Sequence, residues 1–141
     1  MLYLDYLKRT HPCPFCARPD RVVKTARSAY LTYSLAPYAR YHLLIVPKRH
    51  VESVSELTAQ EFKDMVSLMR VVMRIYAKKR IKDFSFLLRN GKNSGRSVRH
   101  VHMNVVPHHR LSDVDKNSDK RKVLSEKRVA QLVQELRKLA S

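Results

Sequence analysis

The stretch Val98 to Val106 constrains this chain more than any other, because it alternates. His100, His102 and Asn104 fall on one side of an extended strand, and Val101, Met103 and Val105 fall on the other. Pro107 ends the run. The two imidazoles stand about 7 Å apart at the ~3.3 Å rise of a strand, so they can face one ligand or one metal. A neutral imidazole with a fixed tautomer is a competent nucleophile, and its attack on phosphorus gives a phosphoramidate that water can hydrolyse. A lone inward histidine is usually a satisfied core residue. Two alternating on one strand, followed by Pro107-His108-His109, point instead to chemistry.

The apolar period changes several times along the chain, and those changes outline an architecture. Residues 21–35 read as a hairpin broken at Arg27 and Ser28, and Tyr41 to Val46 as a buried strand ended by Pro47. Thr58 and Glu61 have capping-box spacing, with Leu57 and Phe62 placed for a hydrophobic staple. From there Phe62, Met65, Val66, Met69, Val72, Met73 and Tyr76 recur at helical spacing as one expected buried face. Residues 83–89 read as a strand, 90–95 as a loop, 110–122 as a polar segment and Leu124 to Leu139 as a C-terminal helix. Strands, helix, strands, helix with short connections give an α+β class: an antiparallel sheet of about five strands, one long helix and a C-terminal helix. A chain of 141 residues matches one domain. Residues 1–110 form its body, and the loop and helix of 111–141 belong to it.

The only glycines, Gly91 and Gly95, lie in the loop that feeds the histidine strand. Glycine admits positive φ and lets a phosphate approach backbone N–H groups, with Ser94, Arg96 and Ser97 beside it as further donors. Cys13 and Cys16 sit in a proline-rich stretch, which favours a knuckle-like loop over a thioredoxin-type strand and helix. Their two-residue spacer reads as half of a metal site or as a pair of thiols. The 29 Lys and Arg against 12 Asp and Glu give a net charge of +17, which attracts polyanions without naming a reaction. No apolar run approaches the ~20 residues that span a bilayer, so a soluble, cytoplasmic chain is expected, without a membrane partner.

The run Gly95-Arg96-Ser97-Val98-Arg99-His100-Val101-His102-Met103-Asn104-Val105-Val106-Pro107 resembles the signature of the histidine-triad (HIT) superfamily. Tyr41 to His50 and Asn90 resemble the same family, and the likeness extends from about Cys13 to His108. The resemblance implies a HIT-like fold and a nucleotidyl hydrolase or transferase acting on nucleoside monophosphate derivatives, with phosphorylase activity within its range. It makes His102 the nucleophile, forming a covalent nucleotide intermediate, and Asn90, Gly95, Arg96, Ser97 and Asn104 the phosphate-binding set. Ser34 falls where an Asp or Asn commonly binds ribose, and an apolar wall near Leu31 to Leu35 would take the base. A homodimer is the usual assembly, and no catalytic metal is required.

The resemblance also assigns the cysteines. Many microbial members carry such a pair with two histidines around zinc, which implies a structural zinc, one per chain, on Cys13, Cys16, His50 and His100. His11, His108 and His109 are competing ligands. Two departures from the family pattern bear on activity. Asn104 stands where a third histidine is usual, and an amide donates hydrogen bonds but is no acid near neutral pH. Arg96 replaces the usual Gln and adds a cation suited to phosphate. Beside the enzyme stand two other readings: a weakly catalytic or non-catalytic module that binds nucleotide, or nucleic acid through its basic surface, and a zinc-stapled interaction domain.

Overall fold

The computed structural model describes residues 1–9, 13–16, 20–109 and 120–141. His11 lies outside them. Five antiparallel strands form one sheet: β1 (Val22–Thr25), β2 (Ala29–Tyr33), β3 (Leu43–Pro47), β4 (Phe84–Leu88) and β5 (Met103–Pro107). Their spatial order is β1-β2-β3-β5-β4. The hairpin break at Ala26 to Ser28 and the strand ended by Pro47 are as the sequence indicates. The ladder of β5 begins only at Met103, yet the alternation holds upstream of it: His100 and His102 are buried on one side, and Val101 joins the core on the other.

The sheet has two covered faces, and the pleat decides what each receives. Ala29, Leu31, Tyr33, Leu43, Ile45 and Val105 meet the long helix α2 (Ala59–Lys78) and the C-terminal helix α3 (Glu126–Ala140) in the main core. Tyr30, Leu44 and Val46 turn the other way, onto a smaller cluster with Phe15, Cys13 and Val98. A short helix, α1 (Tyr3–Arg9), which the sequence pattern did not announce, adds Leu7 to that second cluster. The site is built on this second face.

The start of α2 is a capping box: the Thr58 hydroxyl accepts the Glu61 N–H at 3.1 Å, and the Glu61 carboxylate accepts the Thr58 N–H at 2.9 Å. Its buried face differs from the expected one. Met65, Leu68, Val71, Val72, Ile75 and Tyr76 are buried, whereas Phe62, Val66 and Met73 are 47%, 53% and 43% exposed. The helix carries apolar residues around more than half of its circumference, and the sheet takes only one flank of that arc. α3 begins at Ser125, whose hydroxyl accepts the Arg128 N–H, and buries Val129, Leu132, Val133 and Leu136 against the main core. Among the described residues no helix is long and apolar enough to cross a membrane.

Candidate active site and metal centre

His102 is 8% exposed, and its Nδ1–H donates to the carbonyl of His100 at 2.7 Å. That bond fixes the tautomer and leaves the Nε2 lone pair for a substrate. Burial pushes its imidazole down to about 4, opposed by the His100 carbonyl and aided by the charges of His100, Arg121 and Arg96. His102 is therefore a neutral, oriented base at physiological pH.

A second imidazole, His42, fixes Asn104. The Tyr38 N–H donates to His42 Nδ1 at 3.2 Å, so the proton sits on Nε2 and donates to Asn104 Oδ1 at 2.9 Å. The Asn104 amide nitrogen is thereby the donor end, donating to Leu87 O at 3.4 Å, and Asn104 is among the residues that line the pocket. Complete burial pushes His42 down to about 3, which keeps this relay neutral. Tyr41 aims His42: its backbone is left-handed (φ 66°), its N–H donates to Tyr33 Oη, and its carbonyl accepts from Tyr76 Oη.

The pocket beside His102 brings together Ser34, Gly95, Arg96, Ser97 and Asn104, all expected from the sequence. Gly95 has φ +85°, a conformation that favours glycine, and a Cβ there would stand 3.0 Å from Arg89 Nη1, which would have to give by a few tenths of an ångström. Asn90 does not line the pocket; its side-chain oxygen accepts the Val54 N–H at 2.9 Å and ties the loop to the segment before α2. Of the stretch Leu31 to Leu35, Ser34 lines this pocket. Leu31 and Tyr33 belong to the helical core, and the lining comes from Ser34, Tyr38 and Leu44.

Tyr3, Tyr38, Arg89 and Arg121 were not singled out from the sequence, yet they complete the lining. Two of them come from segments far apart in the sequence, where the Tyr3 N–H donates to Arg121 O and Leu2 bridges Lys122. No motif marks such a pairing, because it joins residues more than a hundred positions apart. The enclosed space is narrow, about 30 Å³, or room for about two waters by the same kind of measure.

Cys13, Cys16, His50 and His100 converge on the same sheet face, their ligand atoms all within 4.8 Å of one another. Cys13 Sγ lies 3.5 Å from His100 Nδ1, and Cys16 Sγ lies 3.2 Å from His50 Nδ1 and 3.6 Å from His100 Nδ1. The nitrogen–sulfur edge of a tetrahedral zinc site, from Zn–N and Zn–S lengths of about 2.0 and 2.3 Å, is about 3.5 Å. The spacing thus fits a small tetrahedral ion. His100 Nε2–H donates to Pro47 O at 2.8 Å, the outer contact that orients a ligating imidazole. Burial and the neighbouring Cys13 hold the Cys16 thiol above its usual range, a shift that a bound cation would reverse. His108 and His109 are not in this group. Phe15, between the cysteines, packs on both His100 and His102, with ring centroids 5.7 and 5.1 Å away.

The sequence model of the HIT domain matches residues 17–111. A bis(5'-adenosyl)-triphosphatase of Dictyostelium discoideum is 27% identical over 129 residues, covering 91% of this chain and 86% of the relative. A hypothetical histidine triad nucleotide-binding protein from Sulfolobus tokodaii superposes with a TM-score of 0.74 over 91% of both chains at 18% identity. A zinc-bound histidine triad family protein from Mycobacterium smegmatis gives 0.67 over 89% of this chain and 93% of the other, also at 18% identity.

Proposed function

The chain belongs to the HIT domain family, and from that premise we propose that it is a nucleotide hydrolase or nucleotidyl transferase working through a covalent His102-nucleotide intermediate. The observation that carries this reading is the His102 imidazole itself: neutral, buried, with Nδ1 committed to the His100 carbonyl and Nε2 left for the reaction. The similarity to a bis(5'-adenosyl)-triphosphatase supports a nucleoside monophosphate derivative as substrate. In the attack, a bond forms between Nε2 and the phosphorus, the bridge to the leaving group breaks, and the bonding pair departs with that group. Water, or inorganic phosphate in a phosphorylase variant, then displaces the imidazole and releases the nucleotide. Gly95, Arg96, Ser97 and the Asn104 amide hold the phosphate oxygens, with Ser34 toward the sugar. Asn90 acts through the loop it braces.

Cys13, Cys16, His50 and His100 hold one structural zinc per chain in this proposal; the donor spacing and the zinc-bound relative support it. A closed four-ligand site leaves no position for substrate, so the metal holds the knuckle against the histidine strand and takes no part in the reaction. The helix and loop of 111–141 belong to the same domain, a reading supported by the packing of α3 on the core. A homodimer is the assembly we propose. Phe62, Val66 and Met73 leave an apolar stripe exposed on α2, and β4 ends the sheet with one edge unpaired among the described strands. An unpaired strand edge and an exposed apolar stripe each favour a second copy.

Trapping tests the catalytic reading. Protein mixed with diadenosine triphosphate and quenched in alkali, where phosphoramidates persist, should gain the mass of one adenylyl group at His102. No adduct, together with unchanged turnover in His102→Ala, would overturn the proposal and leave a binding module.

A further inference from the structure

Tyr38 and Arg121 line the narrow pocket of His102, and they also line a second cavity of about 360 Å³. Its other lining residues are Lys120, Lys122, His109, Pro37 and Leu124. Arg121 is set between two aromatic rings: its guanidinium carbon lies 4.4 Å from the Tyr3 ring centre and 4.1 Å from that of Tyr38. It also donates to Ala36 O at 3.2 Å. A cation held in this way is already ordered before an anion arrives, so little conformational freedom remains to be lost on binding.

Resting on the catalytic reading of His102, we propose that this second cavity is the leaving-group site, and that it takes a polyphosphate anion expelled when His102 captures the nucleotide. Two independent observations meet here. The cavity presents three cationic side chains in succession, Lys120, Arg121 and Lys122, with Arg121 as the post shared with the reaction pocket. Among the described residues, the lining of the reaction pocket holds no carboxyl group and no imidazole besides His102, and the Asn104 amide only lends a hydrogen bond. A leaving amine or alkoxide needs a proton to depart; a phosphate oxygen departs as a stable anion. When the bond from phosphorus to the bridging oxygen breaks, that oxygen keeps the electron pair and becomes a terminal oxygen of the released polyphosphate. The added negative charge then faces Arg121 and its lysine neighbours, so no acid is required. The same geometry disfavours phosphoramidates of simple amines.

The test compares two substrates that deliver the same adenylyl group, diadenosine tetraphosphate and an adenosine phosphoramidate of a neutral amine. It uses wild type, Arg121→Gln, Lys120→Ala and the remote control Lys24→Ala, with inorganic tripolyphosphate binding measured in parallel. Wild type should favour the tetraphosphate. That preference in kcat/KM should shrink about tenfold in Arg121→Gln and several-fold in Lys120→Ala, with weakened tripolyphosphate binding in both, as expected for a lost charge-assisted contact. An equal fall for both substrates would overturn the assignment and place the nucleoside half in the cavity. Equal weakening of tripolyphosphate binding by Lys24→Ala would overturn it in favour of diffuse attraction to a basic surface. If no nucleotide is turned over but tripolyphosphate binding depends on Arg121 and Lys120, the catalytic reading fails and the anion site stands.

Discussion

The imidazole of His102 donates from Nδ1 to the main-chain carbonyl of His100, 2.7 Å away. One residue thus offers its side chain to the Cys13, Cys16 and His50 cluster and its backbone carbonyl to His102. The candidate metal group and the candidate reaction pocket therefore share one short segment, and under the proposed function a disturbance at the first should reach the tautomer and aim of the second.

Removal of the metal should therefore cost both stability and turnover. Purified protein should contain about one zinc per chain, and Cys16→Ser or a strong chelator should remove it, lower Tm by several degrees and reduce the rate of His102 adenylylation. Metal analysis beside single-turnover kinetics checks this; full adduct formation in the metal-free protein would show that the knuckle does not support His102.

His102→Ala should abolish the adduct and lower turnover at least about a thousandfold, since no other group in the pocket replaces a covalent nucleophile. Intact mass and steady-state rates on the same preparation are the measurement.

The pH dependence follows from the buried histidines. His102, at about 4, attacks only when neutral, so the acid limb of its adenylylation should fall near pH 4, well below the range of an ordinary histidine. Stability obeys the same shifts. The unfolded chain takes up protons below about pH 6.5, while folded His102 and His42 resist until about 4 and 3. Stability is complete above pH 6.5 and is lost as pH falls toward 4, by about 3 kcal/mol from His102 alone. Urea midpoints across this range, in wild type and His102→Ala, should show the variant with the flatter profile.

Asn104→Asp separates the structural and chemical duties of the amide. The carboxylate still accepts from His42 Nε2–H, so the fold should survive with its His42 contact intact. The donor facing the pocket is replaced by a negative charge, and kcat/KM should drop by about 10²-fold or more. Asn104→Ala instead strands the buried His42 donor, at about 1–3 kcal/mol of stability. Chemical denaturation and kinetics distinguish the two variants.

Gly95→Ala meets positive φ and a neighbour at 3.0 Å together. It should destabilise the phosphate loop by about 1 kcal/mol or more and raise KM. Gly91→Ala, with φ +93° and open space around it, should bear only the conformational part.

Much of the site was legible because its information is local. The alternation around His100, His102 and Asn104 fixes which side chains share a face, since a strand has no other way to place them. The capping box of Thr58 and Glu61 is likewise a matter of four consecutive residues. The helical stripe of α2 was only half legible. Periodicity shows an apolar arc, but which flank is buried depends on where the sheet lies, and Phe62, Val66 and Met73 ended on the outside.

What the sequence determined by itself was the α+β order of elements, the histidine strand, the glycine turn and the spacing of the cysteine pair. What only the tertiary structure decided was which of these meet. It closed Cys13 and Cys16 upon His50 and His100, set His42 behind Asn104, and took Asn90 out of the pocket lining to brace a loop. It also placed Arg121 between Tyr3 and Tyr38, residues far from it in the sequence. Contacts of that kind leave no periodic trace in a sequence, because they arise from the packing of two distant segments on one sheet face and not from the conformation of either.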